Sequence, residues 1–220
     1  MALNNTITIV LALSLGGCIT ARIENAREET TGLLEGEAVV VMAKSYHQGN
    51  ETEAKYIKCV ERALGSGAGA LNVIPTQQFI DNLFPWFEPR TAPADTKGLV
   101  QLMKRPGIPE AIRHMGVRYI IWLDGETERV SQGGSLSCAA GPGGGGCFGF
   151  AWWQDDADYE ASIWDLSDSE SAGTVTADYT GTSFLPALVI PIPLIARTQS
   201  KACNGLAKQL KLFIVSDETV

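Results

Sequence analysis

Few residues in this sequence have the types and spacing that catalysis requires. A nucleophilic serine on a strand-to-helix turn reads G-x-S-x-G, but Ser66 has Leu64 two residues before it and Ser135 has Ser137 two residues after it. With only two histidines among 220 residues, a Ser-His-Asp site has almost no candidate base. The sequence therefore predicts a protein that is not an enzyme.

A glycine run matches a dinucleotide-binding motif through its composition alone. Gly141, Gly143 and Gly146 fit the pattern G-x-G-x-x-G, as any glycine run does, and the following CFGFAWW begins no amphipathic helix. We therefore expect no cofactor.

Four carboxylates fall within six residues, a density that resembles a calcium-binding loop: Asp155, Asp156, Asp158 and Glu160. A calcium-binding EF-hand loop needs Gly at its sixth position and Glu at its twelfth, and counting from Asp156 these are Ala161 and Ser167. The pattern favours a solvated acidic turn before a strand, and no metal.

Charge and size narrow the classes of partner and the number of domains. Asp and Glu outnumber Lys and Arg by 25 to 17, which gives a net charge of −8. This charge is opposite to what binding to nucleic acid or to anionic lipid requires, so we expect no nucleic-acid partner. The length and the 45% apolar content predict one domain.

The N-terminus carries a candidate modification site at Cys18. Residues 7–15 (ITIVLALSL) are too short to span a membrane as a helix, but they suit the apolar part of a signal peptide. The next residues, Leu15-Gly16-Gly17-Cys18, resemble the bacterial lipobox, in which the cysteine is acylated and becomes the first residue. We therefore predict a signal peptide over residues 1–17 and a lipidated N-terminus and linker over 18–37. The alternative is a buried N-terminal strand with a chance cysteine.

The residue after the cysteine predicts the location. In the sorting pattern of enterobacterial lipoproteins an Asp there favours the inner membrane, and this chain has Ile19. We therefore expect a lipid anchor, palmitate among its acyl chains, at the periplasmic face of the outer membrane.

Four further cysteines predict two disulfides, since an even number in an oxidising compartment is typical of bridges. Cys138 and Cys147 flank a glycine-rich loop and are paired on that ground, which leaves Cys59 with Cys203. Zinc would need closer ligand pairs such as C-x-x-C. Reduced, buried cysteines remain the alternative.

Hydrophobic patterns predict an α/β (α+β) fold over residues 38–216, a single mixed β-sheet with helices packed on it. Predicted strands cover 38–43, 70–75 and 117–123, an antiparallel hairpin pairs 159–166 with 174–180, and 133–149 is a flexible excursion. Predicted helices cover 51–64, 76–83 and 109–115, and an amphipathic C-terminal helix includes residues 203–214.

The order of these elements resembles a known domain. The stretch Gly116-Val117-Arg118-Tyr119-Ile120-Ile121 with Gly125, and the later Ile163-Trp164-Asp165-Leu166 with Gly173-Thr174-Val175, are similar to motifs of bacterial lipoproteins that have a TolB N-terminal-like α/β domain. That group includes the curli-secretion lipoprotein and the lipoprotein activators of penicillin-binding proteins. The resemblance implies that the helices carrying Cys59 and Cys203 lie side by side.

Apolar residues in segments predicted as loops are the candidate binding residues, because proteins rarely leave large apolar patches in water. They are Phe84, Trp86, Phe87, Trp152, Trp153, Pro186, Pro191 and Pro193, together with Phe148, Phe150 and the rest of 185–195. Burial in the core is the alternative for each segment. We hypothesise a non-enzymatic binding or assembly component of the bacterial cell envelope, whose partner is another envelope protein or a second copy. An envelope enzyme acting on peptidoglycan or another cell-wall substrate is the alternative function.

Overall fold

The computed structural model describes residues 18–43, 54–88, 90–93, 95–142 and 144–215. The predicted signal peptide, residues 1–17, lies outside the described residues. The strands are β1 (Cys18–Arg27), β2 (Ala38–Ala43), β3 (Val73–Ile74), β4 (Val117–Gly141), β5 (Gly144–Asp165) and β6 (Glu170–Pro191). The helices are α1 (Ala54–Leu64), α2 (Thr76–Asn82), α3 (Thr96–Met103), α4 (Ile108–Met115) and α5 (Thr198–Val215).

The six strands form one mixed sheet in the order β1-β6-β5-β4-β2-β3. Strand β2 runs parallel to both of its neighbours, with Val39 opposite Val73 on β3 and Tyr119 on β4. Strands β4, β5 and β6 follow one another through connections too short for a parallel crossover, so each pair is antiparallel. The predicted α/β fold with a mixed sheet and a late hairpin is confirmed.

Contacts group the chain into two compact units. The α/β unit comprises Arg22–Glu126, Asp158–Asp178 and Gln199–Val220, and the strand unit comprises Met1–Ala21, Thr127–Ala157 and Tyr179–Thr198. Strands β1, β4, β5 and β6 contribute residues to both. The sequence predicted a single domain over 38–216.

The core of the α/β unit fills both faces of its parallel strands. Val40 and Met42 of β2 join one buried cluster with residues of α2, α3 and α4, such as Phe79, Leu99 and Ile112. Val39 and Val41, which point to the opposite face of β2, are fully buried as well. Burial on both faces explains why these strands read as continuous apolar runs in the sequence.

Helices α1 and α5 are joined by the Cys59–Cys203 disulfide, with Cα atoms 6.2 Å apart. Helix α5 buries the face predicted from its periodicity, which includes Leu206, Leu210 and Phe213. The predicted pairing is confirmed, and so is that of Cys138 with Cys147.

A buried ion pair joins β4 to the end of β5 in the α/β unit. The Arg118 guanidinium donates to Asp165 Oδ2 at 2.7 and 3.0 Å, and the Ser167 N–H donates to Asp165 Oδ1 at 2.8 Å. The Asp165 side chain is 4% exposed and that of Arg118 is 25% exposed. The buried charge of Asp165 is therefore compensated by Arg118, whereas the Arg118 guanidinium also lies 3.7 Å from Glu37 Oε1.

Three segments differ from the prediction. The predicted linker begins with strand β1, which is held by pairing with β6 at the sheet edge rather than by an apolar pattern of its own. Helix α3 was missed although Asp95 caps it, accepting a hydrogen bond of 2.7 Å from the Gly98 N–H. The start of the predicted helix at residues 51–53 lies outside the described residues.

The prediction of a flexible excursion over residues 133–149 is wrong, because β4 and β5 continue through it. Glycine lets the two backbones approach: Gly149 has a φ of 143°, and a Cβ there would clash with the Ser135 carbonyl oxygen. The high glycine content therefore allows close strand pairing in this segment.

Candidate functional site

An exposed apolar loop in the strand unit comprises the last residues of β6 and the residues that follow them, 184–195. Phe184 and Leu194 exchange backbone hydrogen bonds of 2.9 and 2.8 Å, and the Ile192 N–H donates to the Pro186 carbonyl oxygen at 2.9 Å. Between these bonds Val189 has a φ of 92°, which is strained for a β-branched residue. The turn exposes Leu188 (77%), Val189 (65%) and Ile190 (71%).

The tip of the β4–β5 hairpin lies against this loop. The Cys138–Cys147 disulfide bridges the two strands, with Cα atoms 4.0 Å apart. The disulfide, Phe148, Leu188 and Val189 contribute to the lining of an open cavity of about 390 Å³. The loop and the hairpin tip therefore form one continuous surface.

We call this surface the apolar surface and define it by its exposed large side chains. They are Phe148, Phe150, Leu188, Val189, Ile190, Ile192 and Ile195. The Phe150 ring also stacks at 6.0 Å on the ring of Phe184, at the base of the loop. Single exposed apolar residues are ordinary, but seven on two adjoining segments form the kind of patch that proteins use for binding.

Aromatic and charged residues lie together in the strand unit at the end of a stretch of sequence, residues 130–154, that has no charged side chain. The Arg129 guanidinium lies 5.3 Å from the centroid of the Trp153 ring and forms an ion pair with Asp155 at 3.1 Å. Trp152 packs beside Gly133, where a Cβ would stand only 2.9 Å from the indole nitrogen. Both tryptophans are half-buried.

Cys18 is an exposed, unpaired cysteine at the start of β1, and it belongs to the strand unit. Strands β1 and β6 run antiparallel, because Ala26 lies beside Gly173 and the same order brings Arg22 into the field of Asp178. The cysteine therefore lies at the start of the strand beside β6, and β6 is the strand that carries the apolar loop.

The segment at residues 84–87, predicted as a binding segment, belongs to the α/β unit and is divided between surface and core. Phe84 is 69% exposed, but Phe87 is 1% exposed and packs edge-on against Phe79 at 4.8 Å. Trp86 is half-buried with the Arg105 guanidinium 4.1 Å from its ring centroid. The prediction that Phe87 binds a partner is therefore wrong, because its ring fills the core.

The predicted prolines divide in the same way. Pro191 and Pro193 are exposed beside the apolar surface, whereas Pro186 is half-buried. Pro186 contributes its carbonyl oxygen to the closure of the loop, so its role here is structural.

The predicted acidic turn is part of strand β5. Asp158 belongs to the α/β unit and lines an open cavity of about 410 Å³ with Asp124, Glu126 and Glu160. A hydrogen bond with Asp158, partial burial and the repulsion of its charge raise the pKa of Asp178 to about 6. Like-charged carboxylates held close together thus compete for one proton.

The described residues contain no group of three or more His, Cys, Asp or Glu side chains placed to hold a metal ion. Within those same ranges, no helix has the length and apolar content to cross a membrane.

The sequence carries a further signal for the apolar surface, which is a lack of charge. Residues 130–154 and 179–196 contain no Asp, Glu, Lys, Arg or His, although 19% of the whole chain is charged. These two stretches supply every residue of the apolar surface. A search for long uncharged segments would have found both sides of it.

No protein-family model and no curated protein matches the chain. Among solved structures, the chain is similar to the PelC dodecamer from Paraburkholderia phytofirmans, at 17% identity and a TM-score of 0.41, over 91% of this chain and 100% of that one. A variant of the same dodecamer gives 14% identity and a TM-score of 0.41, over 90% and 99%. Values this low transfer neither a fold nor a function to this chain.

Proposed function

We propose that this chain is a lipoprotein of the bacterial cell envelope that acts as a non-enzymatic binding and assembly component. Acyl chains on Cys18 hold it at the periplasmic face of the outer membrane, and the apolar surface contacts another component of the envelope. That component is the membrane itself, another envelope protein or a second copy of the chain.

The observation that carries this proposal is the apolar surface. Its leucine and isoleucine side chains are more than half exposed, and each buried methylene contributes about 0.8 kcal/mol when it leaves water. A surface of this kind is stabilised by a partner, and it lies on backbone that is fixed by hydrogen bonds rather than on loose chain. A rigid surface binds at a lower entropic cost.

Two features support the location. The lipobox-like sequence before Cys18 precedes a cysteine that is exposed and outside any disulfide. Ile19 in place of Asp fits sorting to the outer membrane. The resemblance to lipoproteins with a TolB N-terminal-like domain points to the same compartment, and to assembly rather than catalysis.

Photo-crosslinking in living cells tests the proposal. Leu188 and Leu34 form a matched pair, because they are 77% and 72% exposed and only Leu188 belongs to the apolar surface. A photoreactive amino acid at position 188 of the full chain should form adducts with an envelope protein, a second copy or lipid, and the same probe at position 34 should not. Equal yields from the two positions, or none from position 188, would contradict the proposal.

A further inference from the structure

We propose that the apolar surface lies in the lipid of the membrane that holds Cys18, at the depth where headgroups meet acyl chains. This inference rests on the proposed function, and it names membrane lipid as what covers the apolar surface. Four features of the strand unit favour lipid over protein.

The first feature is the absence of charge in the sequence of both stretches, 130–154 and 179–196. Ordinary protein interfaces are about as polar as the remaining surface and are enriched in arginine. A charged side chain in the apolar part of a membrane is costly, so lipid selects against such residues. Uninterrupted neutrality over two adjoining segments therefore fits a lipid environment better than a protein partner.

The second feature is the hydrogen bonding of the exposed backbone. Lipid offers backbone N–H and C=O groups no partner, so a segment that enters it must satisfy them internally. Phe184 pairs with Leu194 and Ile192 with Pro186 across the loop, and prolines at positions 191 and 193 have no N–H to satisfy. The base of the loop is thus closed by its own backbone, and the two prolines contribute no donor.

The third feature is the set of residues where the uncharged stretches end. Trp152 and Trp153 lie at one end with Arg129 and Asp155, and Arg197 follows the other. Tryptophan and arginine are typical of the boundary between headgroups and water, where one end of the side chain is apolar and the other is hydrated. The acidic residues that give the chain its net charge of −8 lie outside both stretches.

The fourth feature is the lipid anchor. Acyl chains on Cys18 would enter one leaflet from the start of β1, which lies beside β6 in the sheet. Cys18 and the part of β6 that carries the apolar loop belong to the same strand unit. An anchor at that position brings the apolar loop to the membrane without any further partner.

The test uses the lipidated full-length protein, reconstituted into vesicles of phosphatidylethanolamine and phosphatidylcholine. An environment-sensitive fluorescent amino acid is placed at Leu188, with Leu34 as the matched control and Ile190 as a second position should the first variant fold poorly. Nitroxide lipids quench fluorophores inside the bilayer, and iodide quenches those in water. Both disulfides are verified in each variant before measurement.

We expect blue-shifted emission at position 188 and a ratio of lipid to aqueous quenching at least about tenfold higher than at position 34, because lipid acyl chains surround the probe and exclude iodide. Emission that is shielded from iodide but not quenched by nitroxide lipids would show that protein covers the surface. That result overturns the lipid contact and leaves the proposed function standing. Water-like emission at positions 188 and 190 also overturns the lipid contact, and the crosslinking experiment in cells then decides the proposed function separately.

Discussion

Removing the Cys59–Cys203 disulfide should destabilise the protein more than removing Cys138–Cys147. The two bridges join residues separated by 144 and 9 positions. In the chain-entropy model, the longer loop restricts the unfolded chain by about 5 kcal/mol and the shorter by about 3 kcal/mol. Cys203 is also completely buried, so its truncation adds a cavity cost in the same direction.

The assay compares two double-alanine variants, one for each bridge, by urea and thermal unfolding under non-reducing conditions. For a chain of this size a difference of about 2 kcal/mol corresponds to roughly 4–8 °C in Tm. Far-UV circular dichroism and the retained disulfide serve as controls for folding. Equal losses, or a larger loss without Cys138–Cys147, would refute the reasoning from loop length.

Three further predictions concern single residues. The pKa of Asp178 is raised to about 6 in the folded chain from an ordinary value of 3.8, so the folded state binds this proton more tightly than the unfolded state does. The free energy of unfolding should therefore fall as the pH rises from about 4 to about 6. Asp178→Asn should lack this fall in denaturant titrations, and an unchanged pH profile would contradict the assignment. Asp165→Asn should cost about 2 kcal/mol in urea unfolding, because it weakens the two charge-assisted hydrogen bonds that Arg118 donates and leaves Glu37, at 3.7 Å, as the nearest carboxylate to that charge. Asp168→Asn, whose side chain is 62% exposed at 3.9 Å from Arg118, should cost less than about 1 kcal/mol; similar costs would refute the role of burial. Val189→Gly should raise stability by about 1 kcal/mol, since glycine tolerates a φ of 92° and little burial is lost, and a fall in Tm would contradict it.

Elements that are buried on both faces were predictable from the sequence. Residues 38–43 are a continuous apolar run, residues 117–123 are apolar or aromatic except for Arg118, and the structure has strands at both places. The C-terminal helix was equally clear, because its apolar residues recur at helical spacing and bury one face. The number and spacing of the cysteines were then enough to predict both disulfides.

The long extensions of β4 and β5 could not be predicted from local pattern. Residues 133–149 contain many glycines and few large apolar residues, which is typical of a flexible loop. Their strand structure depends on cross-strand contacts, such as the close approach of Gly149 to Ser135, that no local window contains. Tertiary pairing therefore overrides propensity in this segment.

The sequence also could not show which apolar residues are exposed. Phe84 and Phe87 are three residues apart in an irregular segment, so no periodicity separates the exposed ring from the buried one. Packing against Phe79 decides the difference. For the apolar surface, by contrast, the uncharged composition was visible in the sequence.

The chemical state of Cys18 in the membrane tests the account most directly. Intact mass and N-terminal peptide mapping of the full chain, extracted from isolated envelope, should show a mature protein that begins at Cys18 with acyl chains on this residue. Cys18→Ser should leave an unacylated precursor without palmitate label. An unmodified Cys18 in the wild-type protein, or equal palmitate labelling of wild type and variant, would contradict the lipid anchor and with it the placement of the apolar surface at the membrane.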